Sequence, residues 1–159
     1  VAFDAMGGKK PSAMGTCFGA VVGLVAITPA AGFVTIPHSI LIGVFSSIAS
    51  NLMVELRSRT TLDDTLDVFP CHGVGGIMGM LLTGVFAHKN VNSAVTNNGL
   101  LYGESKLFIV QLLGMLGVFT FVFIGTMLLL KITDSITPLR VSKGEESLGL
   151  DHTQHGEKL

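Results

Sequence analysis

A single histidine, His72, stands in an uncharged, glycine-rich run of the chain, residues 68–86, "VFPCHGVGGIMGMLLTGVF". A neutral imidazole offers one hydrogen-bond donor and one acceptor, which suits a small, neutral polar molecule better than a bare cation. Ionisable residues are costly inside membrane helices and commonly mark a substrate path or a proton relay. A side chain that only hydrogen-bonds a neighbouring helix is the alternative, and the residue types alone leave both hypotheses open.

A helical wheel drawn at about 100° per residue separates two faces of this run. The face of His72 is mostly small and includes Val68, Gly75, Gly76, Gly79, Thr83 and Phe86. The opposite face is large and aliphatic, and includes Val74, Ile77, Met78, Leu81 and Val85. Small residues let another helix or a narrow conduit come close. The pattern therefore predicts that His72 points into a helix bundle.

The other polar candidates are weaker. Asp63, Asp64 and Asp67 precede the run, where carboxylates cap a helix N-terminus, and Asp67 lies about 140° from His72 on the wheel. Thr28 precedes Pro29, so its hydroxyl either satisfies a backbone carbonyl freed by the proline or faces a cavity, and we favour the first.

The remaining histidines and both cysteines show no metal-ligand or redox spacing: His38, His88, His152, His155, Cys17 and Cys71. No nucleophile–base pair is visible within the apolar runs. We therefore expect no catalytic residue, no metal, no cofactor and no enzyme.

Composition and hydropathy indicate an integral membrane protein. Charged residues make up 13% of the chain, against about 25% in typical globular domains, and mean hydropathy is +0.64. A net charge of −1 argues against nucleic-acid binding. The hydropathy pattern predicts a transmembrane bundle over residues 1–131 and a solvated tail over 132–159. We expect its helices at about 12–31, 38–56, 66–88 and 105–131.

The basic residues predict the orientation of the bundle. If the four helices alternate in direction, seven Lys and Arg residues fall on one side: Lys9, Lys10, Arg57, Arg59, Lys131, Arg140 and Lys143. Lys89 and Lys106 fall on the other side. Because cytoplasmic loops carry the excess of basic residues, we expect a cytoplasmic C-terminus.

Three stretches closely resemble the ammonium transporter (Amt/Mep) family: "GKKPSAMGTCFGAVVGLVAITPAAGFV", "LDVFPCHGVGGIMGMLLTGVF" and "GLDHTQHGE". The resemblance runs in order through essentially the whole chain, and the His-Gly-Val-Gly-Gly block is its most specific part. It implies an all-α integral membrane fold whose four helices correspond to the last four of an eleven-helix transporter. The implied function is transport of ammonium or ammonia across the bilayer.

The resemblance also implies roles for particular residues and partners. Adjacent paired histidines line the family's narrow channel, and His72 matches the second of the pair. Val68 matches an aliphatic pore position, and Thr28 matches, more loosely, a residue near the outer vestibule. Gly149, Leu150 and Asp151 match a cytoplasmic tail segment that conveys regulation, often to a PII-type signalling protein. The resemblance also implies a homotrimer, because members of the family look like trimers in which each subunit has its own pore.

Departures from the family pattern qualify these expectations. Pro70 and Cys71 stand where many relatives carry Gly and Val or Ala, which we expect to alter the helix start and not the chemistry. The partner histidine, the aromatic recruitment site and the phenylalanine gate would lie in a first half that this chain does not contain. We therefore expect a fragment of a longer subunit. For its location we prefer a bacterial inner membrane. A second hypothesis is an ammonium sensor or structural subunit that signals through its tail.

Overall fold

A computed structural model describes residues 3, 5, 8, 10 and 12–157 of the chain. The described residues form helices, turns and loops with no strand, so the predicted all-α class is confirmed. The α-helices are α1 (Ala13–Ile27), α2 (Ile36–Ser58), α3 (Gly75–Phe86), α4 (Lys106–Ile136), α5 (Lys143–Leu148) and α6 (Leu150–His155). A π-helical segment, Phe69–Val74, runs into α3, and a 3₁₀ turn, Leu100–Tyr102, precedes α4.

Length and composition allow three helical stretches among the described residues to cross a membrane. They are Ile36–Ser58, Phe69–Phe86 and Lys106–Ile136. The remaining apolar helix, α1, has 15 residues. It rises about 22 Å at 1.5 Å per residue, which is less than a hydrocarbon core of roughly 30 Å.

Prolines account for two differences between the predicted and observed helix ends. Helix α1 ends at Ile27 and not near residue 31, because Pro29 has no N–H to continue the ladder. Helix α2 begins at Ile36, two residues earlier than expected, with Pro37 in its first turn where a missing N–H costs nothing. Helix α4 continues to Ile136, five residues past the predicted boundary of the tail.

Contacts divide the chain into a unit from Val1 to Leu116 and a unit from Gly117 to Leu159, with the boundary inside α4. In the first unit, α1, α2, the π segment and α3 pack against one another. Their core consists of Ala26, Ala30, Val34, Ile42 and Phe86. Small side chains at this core let α1 and α3 approach closely.

The second unit contains the end of α4 and two short helices. Ser142 and Glu145 form a capping box at the start of α5. The hydrogen bonds from the Ser142 side chain and backbone hold the pKa of Glu145 below its usual range. Helix α6 follows directly after Gly149.

Candidate functional site

The helix that carries His72 begins at a carboxylate. Asp64 lies in the loop before the π segment, and its two carboxylate oxygens accept hydrogen bonds from Val68 N at 2.8 Å and Phe69 N at 2.9 Å. These bonds stabilise the charged form and lower the pKa of Asp64. The predicted capping role of the aspartate cluster is thus carried by Asp64.

Asp67 does something different from capping. Its backbone has a φ of +51°, in the left-handed region that non-glycine residues rarely adopt. Its carboxylate accepts a hydrogen bond from Arg57 Nη2 at the end of α2, and both side chains are 25% exposed. Sequence reasoning used Arg57 only for membrane orientation, because nothing local indicates a pair ten residues apart across a loop.

The segment Phe69–Val74, which includes His72, is a π-helix and not the α-helix assumed by the wheel. The Cys71 N–H donates to the carbonyl of Asp67 at 2.9 Å, so the hydrogen-bond ladder starts at the strained residue. A Cβ on Gly73 would lie 2.8 Å from the Phe69 ring, so a larger residue there would force this half-exposed ring to move. π turns inside helices are rare and are frequently found at functional sites.

The π turn divides the face that the wheel treated as one. His72 is exposed and Val68 is 52% exposed, while a Cβ built on Gly76 would meet no atom within 4 Å. In contrast, Gly75, Gly79 and Thr83 are buried. Within this chain, His72 is therefore exposed, and its place inside a helix bundle stays a prediction for the complete subunit.

The buried part of α3 packs on α1 at close range. A Cβ on Gly79 would overlap the carbonyl oxygen of Ala26 and lie 3.0 Å from its Cα. The Thr83 hydroxyl donates back to the carbonyl of Gly79 at 2.7 Å, so it is satisfied within its own helix. Gly75, Gly79 and Thr83 thus have a packing role that fixes the helix carrying His72.

The Thr28 hydroxyl bonds a backbone carbonyl at the end of α1, which is the first of the two roles considered for it. It donates to the carbonyl of Leu24 at 2.7 Å. The backbone N–H of Thr28 donates to the carbonyl of Val25, three residues earlier, at 3.3 Å, so the last turn of α1 before Pro29 is tighter than an α-helical turn. The hydroxyl thus satisfies a carbonyl that the terminating helix leaves unpaired. Thr28 is exposed, and its oxygen keeps acceptor capacity toward a ligand.

Sequence reasoning assigned nothing to a ring cluster that joins α2 and the end of α3 to the loop before α4. The His38 ring stacks on Phe86 with centroids 4.8 Å apart, and its Nδ1 lies 2.9 Å from Thr35 Oγ1. Tyr102 packs edge-on against His88 at 4.3 Å and against His38 at 6.3 Å. No group of three His, Cys, Asp or Glu residues able to hold a metal occurs in the described part of the chain.

A groove of about 610 Å³ opens between α1 and α2. Glycines and small polar side chains dominate its lining, which is Phe3, Gly15, Thr16, Gly19, Gly23, Gly43, Val44, Ser47, Ile48 and Asn51. Glycines that repeat every four residues on α1 match the small-residue spacing of close helix–helix contacts.

The sequence and structure of the chain are similar to those of known ammonium transporters. The chain is 47% identical over 151 residues to an ammonium transporter of Bacillus subtilis, covering 94% of this chain and 37% of the relative. It is 39% identical to ammonium transporter Amt1 of Archaeoglobus fulgidus, covering 93% of this chain and 37% of the relative. The crystal structure of Saccharomyces cerevisiae Mep2 superposes with a TM-score of 0.82 at 38% identity, covering 95% of this chain and 35% of that one.

The chain therefore spans little more than a third of the length of these relatives. The model of the Ammonium Transporter Family matches residues 1–159, which is the whole of the chain. Members of this family are transporters rather than enzymes, and the apolar helices of the chain are those of a multi-pass membrane protein. By the match over its full length and by its relatives, the chain belongs to the Ammonium Transporter Family.

Proposed function

We propose that the complete gene product moves ammonium or ammonia across a membrane, and that His72 contacts the substrate on its way. The observation that carries the proposal is a histidine that is exposed within this chain although it lies in a family-matched apolar helix. An uncompensated imidazole in a membrane segment needs a polar neighbour. A second histidine from another part of the subunit and the substrate itself are the neighbours that we propose.

Val68 and Thr28 complete the proposed pathway. Val68 is exposed one turn before His72 and offers an aliphatic wall, which excludes water and ions. The Thr28 hydroxyl offers an acceptor where α1 ends. We assign Val68 to the channel wall, Thr28 to the outer vestibule, and Gly76 to the open side of the helix next to His72.

We further propose that the four apolar helices are the last four of an eleven-helix subunit and that subunits assemble as homotrimers. Seven of nine basic residues flanking the helices favour a cytoplasmic C-terminus. The turn at Gly149, Leu150 and Asp151 between α5 and α6 would then be a cytoplasmic regulatory segment, with a PII-type protein as its partner. The 47% identity to a bacterial relative supports a bacterial cell membrane, of which we prefer the inner membrane as the location.

Reconstitution tests the proposed activity. The complete gene product is placed in proteoliposomes that contain a pH-sensitive dye, and an inward ammonium gradient is applied. We expect an ammonium-dependent internal pH change well above that of protein-free vesicles, and no matching response to an equal potassium gradient. A response no larger than that of protein-free vesicles, from protein that elutes as a single species, would show that the product is not a transporter.

A further inference from the structure

The π turn changes the direction of His72. In an uninterrupted α-helix, His72 would lie within about 20° of both Gly79 and Thr83, on the face that packs against α1. A π turn takes in one additional residue, which rotates the residues before it by about 100° relative to the α register. His72 lies inside the π segment and takes part of this rotation, and it is exposed while Gly79 and Thr83 are buried.

The residue that starts this turn is held by a partner on α2. Asp67 supplies the carbonyl to which the Cys71 N–H donates, at a backbone φ of +51° that costs free energy in any residue with a Cβ. The ion pair with Arg57 fixes the Asp67 side chain against the end of α2. Both side chains are three-quarters buried, so the pair is better shielded from solvent than a surface ion pair.

We propose that Arg57 and Asp67 are positioning residues that hold the π segment in register and thereby set the direction of His72. They do not touch the substrate. The pair holds Asp67 in its left-handed conformation, and the π turn that follows presents the imidazole to the open side of the helix. The positioning role of Arg57 and Asp67 is independent of the proposed function. Only its consequence for transport through His72 rests on that function.

Chemical labelling measures the direction of His72 without transport. In a complete gene product whose cysteines, Cys17 and Cys71 among them, are all replaced by alanine, His72→Cys supplies a single thiol, and its rate of reaction with a small methanethiosulfonate is measured in membranes. Arg57→Gln and Asp67→Ala are expected to slow this reaction roughly fivefold or more, because the thiol spends more time against α1. Arg59→Gln is the matched control, since Arg59 is 71% exposed and pairs with Glu55 on the surface of α2.

Two milder variants keep the test decisive if those proteins do not fold. Asp67→Asn tolerates the left-handed backbone and keeps an oxygen acceptor, so it should restore most of the labelling rate. Asp67→Gly tolerates the same backbone but loses the carboxylate, and it should label slowly if the ion pair matters. Equal labelling of Asp67→Gly, Arg57→Gln and Arg59→Gln would overturn the proposal.

The ammonium-to-potassium flux ratio separates this inference from the proposed function. It is measured for the Arg57 and Asp67 variants with His72 intact, and separately for His72→Ala. A variant that only lowers the amount of folded protein scales both fluxes equally, whereas Asp67→Gly should change their ratio. If labelling slows but His72→Ala leaves the ratio unchanged, the positioning role stands and the transport role of His72 fails. If labelling does not slow, the positioning role fails whatever the fluxes show.

Discussion

Gly79 is the point at which α3 touches the backbone of α1. The overlap of a built Cβ with the Ala26 carbonyl involves two main chains, so neither side can relieve it by changing a rotamer. Gly76, one turn earlier in sequence, has no such neighbour within 4 Å. Two glycines of the same motif therefore differ in what they do, and their alanine variants should differ too.

We expect Gly79→Ala to destabilise the fold by about 1–3 kcal/mol, the usual cost of overpacking a tight core. Gly76→Ala should cost less than Gly79→Ala, since alanine favours a helix and its Cβ would meet no atom of this chain within 4 Å. The midpoint of thermal unfolding in detergent, followed for the complete gene product, measures both variants against the parent protein. Equal midpoints for the two variants would mean that α1 and α3 are not in backbone contact at Gly79.

The residue types around His72 were predictable, but their division between two surfaces was not. Spacing and size alone indicate a histidine beside a small-residue face. The direction of His72 depends on the π turn, which follows the ion pair between Arg57 and Asp67 and the left-handed backbone of Asp67. Those features arise from tertiary contact, and a wheel with a constant angle per residue cannot represent them.

At the scale of elements, hydropathy predicted the long apolar helices because each is a property of local composition. The ends of α1 and α2 were less predictable, because each depends on one proline, Pro29 or Pro37, that shifts the helix end by a few residues. The loop between α3 and α4 is held together by hydrogen bonds among its own side chains and backbone. Asn98 donates to Glu104 through its backbone N–H at 3.0 Å and its Nδ2 at 2.7 Å, and Lys89 Nζ donates at 3.3 Å.

This loop should loosen in acid. The Asn98 side chain and backbone and the Lys89 ammonium hold the pKa of Glu104 below its usual range. A depressed carboxyl pKa contributes stability that is present above the unfolded value of about 4.3 and is lost as pH falls through the folded value. We expect protection of the Asn98 amide from hydrogen exchange, corrected for intrinsic rate, to be high at neutral pH and to fall in acid.

Glu104→Gln provides the control for that experiment. A neutral side chain should give weaker protection at neutral pH and remove the dependence on pH in this loop. Protection that stays constant into acid in the parent protein would contradict the predicted loosening. A fall of equal size in Glu104→Gln would assign the effect to other carboxylates.

At the scale of the whole molecule, the chain belongs to the Ammonium Transporter Family, and His72 is exposed within this chain. The described part of the chain leaves Val68, His72 and the Gly76 position open beside α1 and α2. The chain spans 35–37% of the relatives compared above, and we propose that the rest of such a subunit faces this surface. The central claim is that His72 contacts ammonium or ammonia there.

The most direct test compares ammonium and potassium fluxes, together with the charge moved, in proteoliposomes that contain the complete gene product or its His72→Ala or His72→Phe variant. We expect each variant to change the ammonium-to-potassium flux ratio by roughly tenfold or more, as removal of a hydrogen-bonding group that contacts the substrate should do. If rate, charge movement and flux ratio all stay as in the parent protein, His72 does not contact the substrate and the account is wrong.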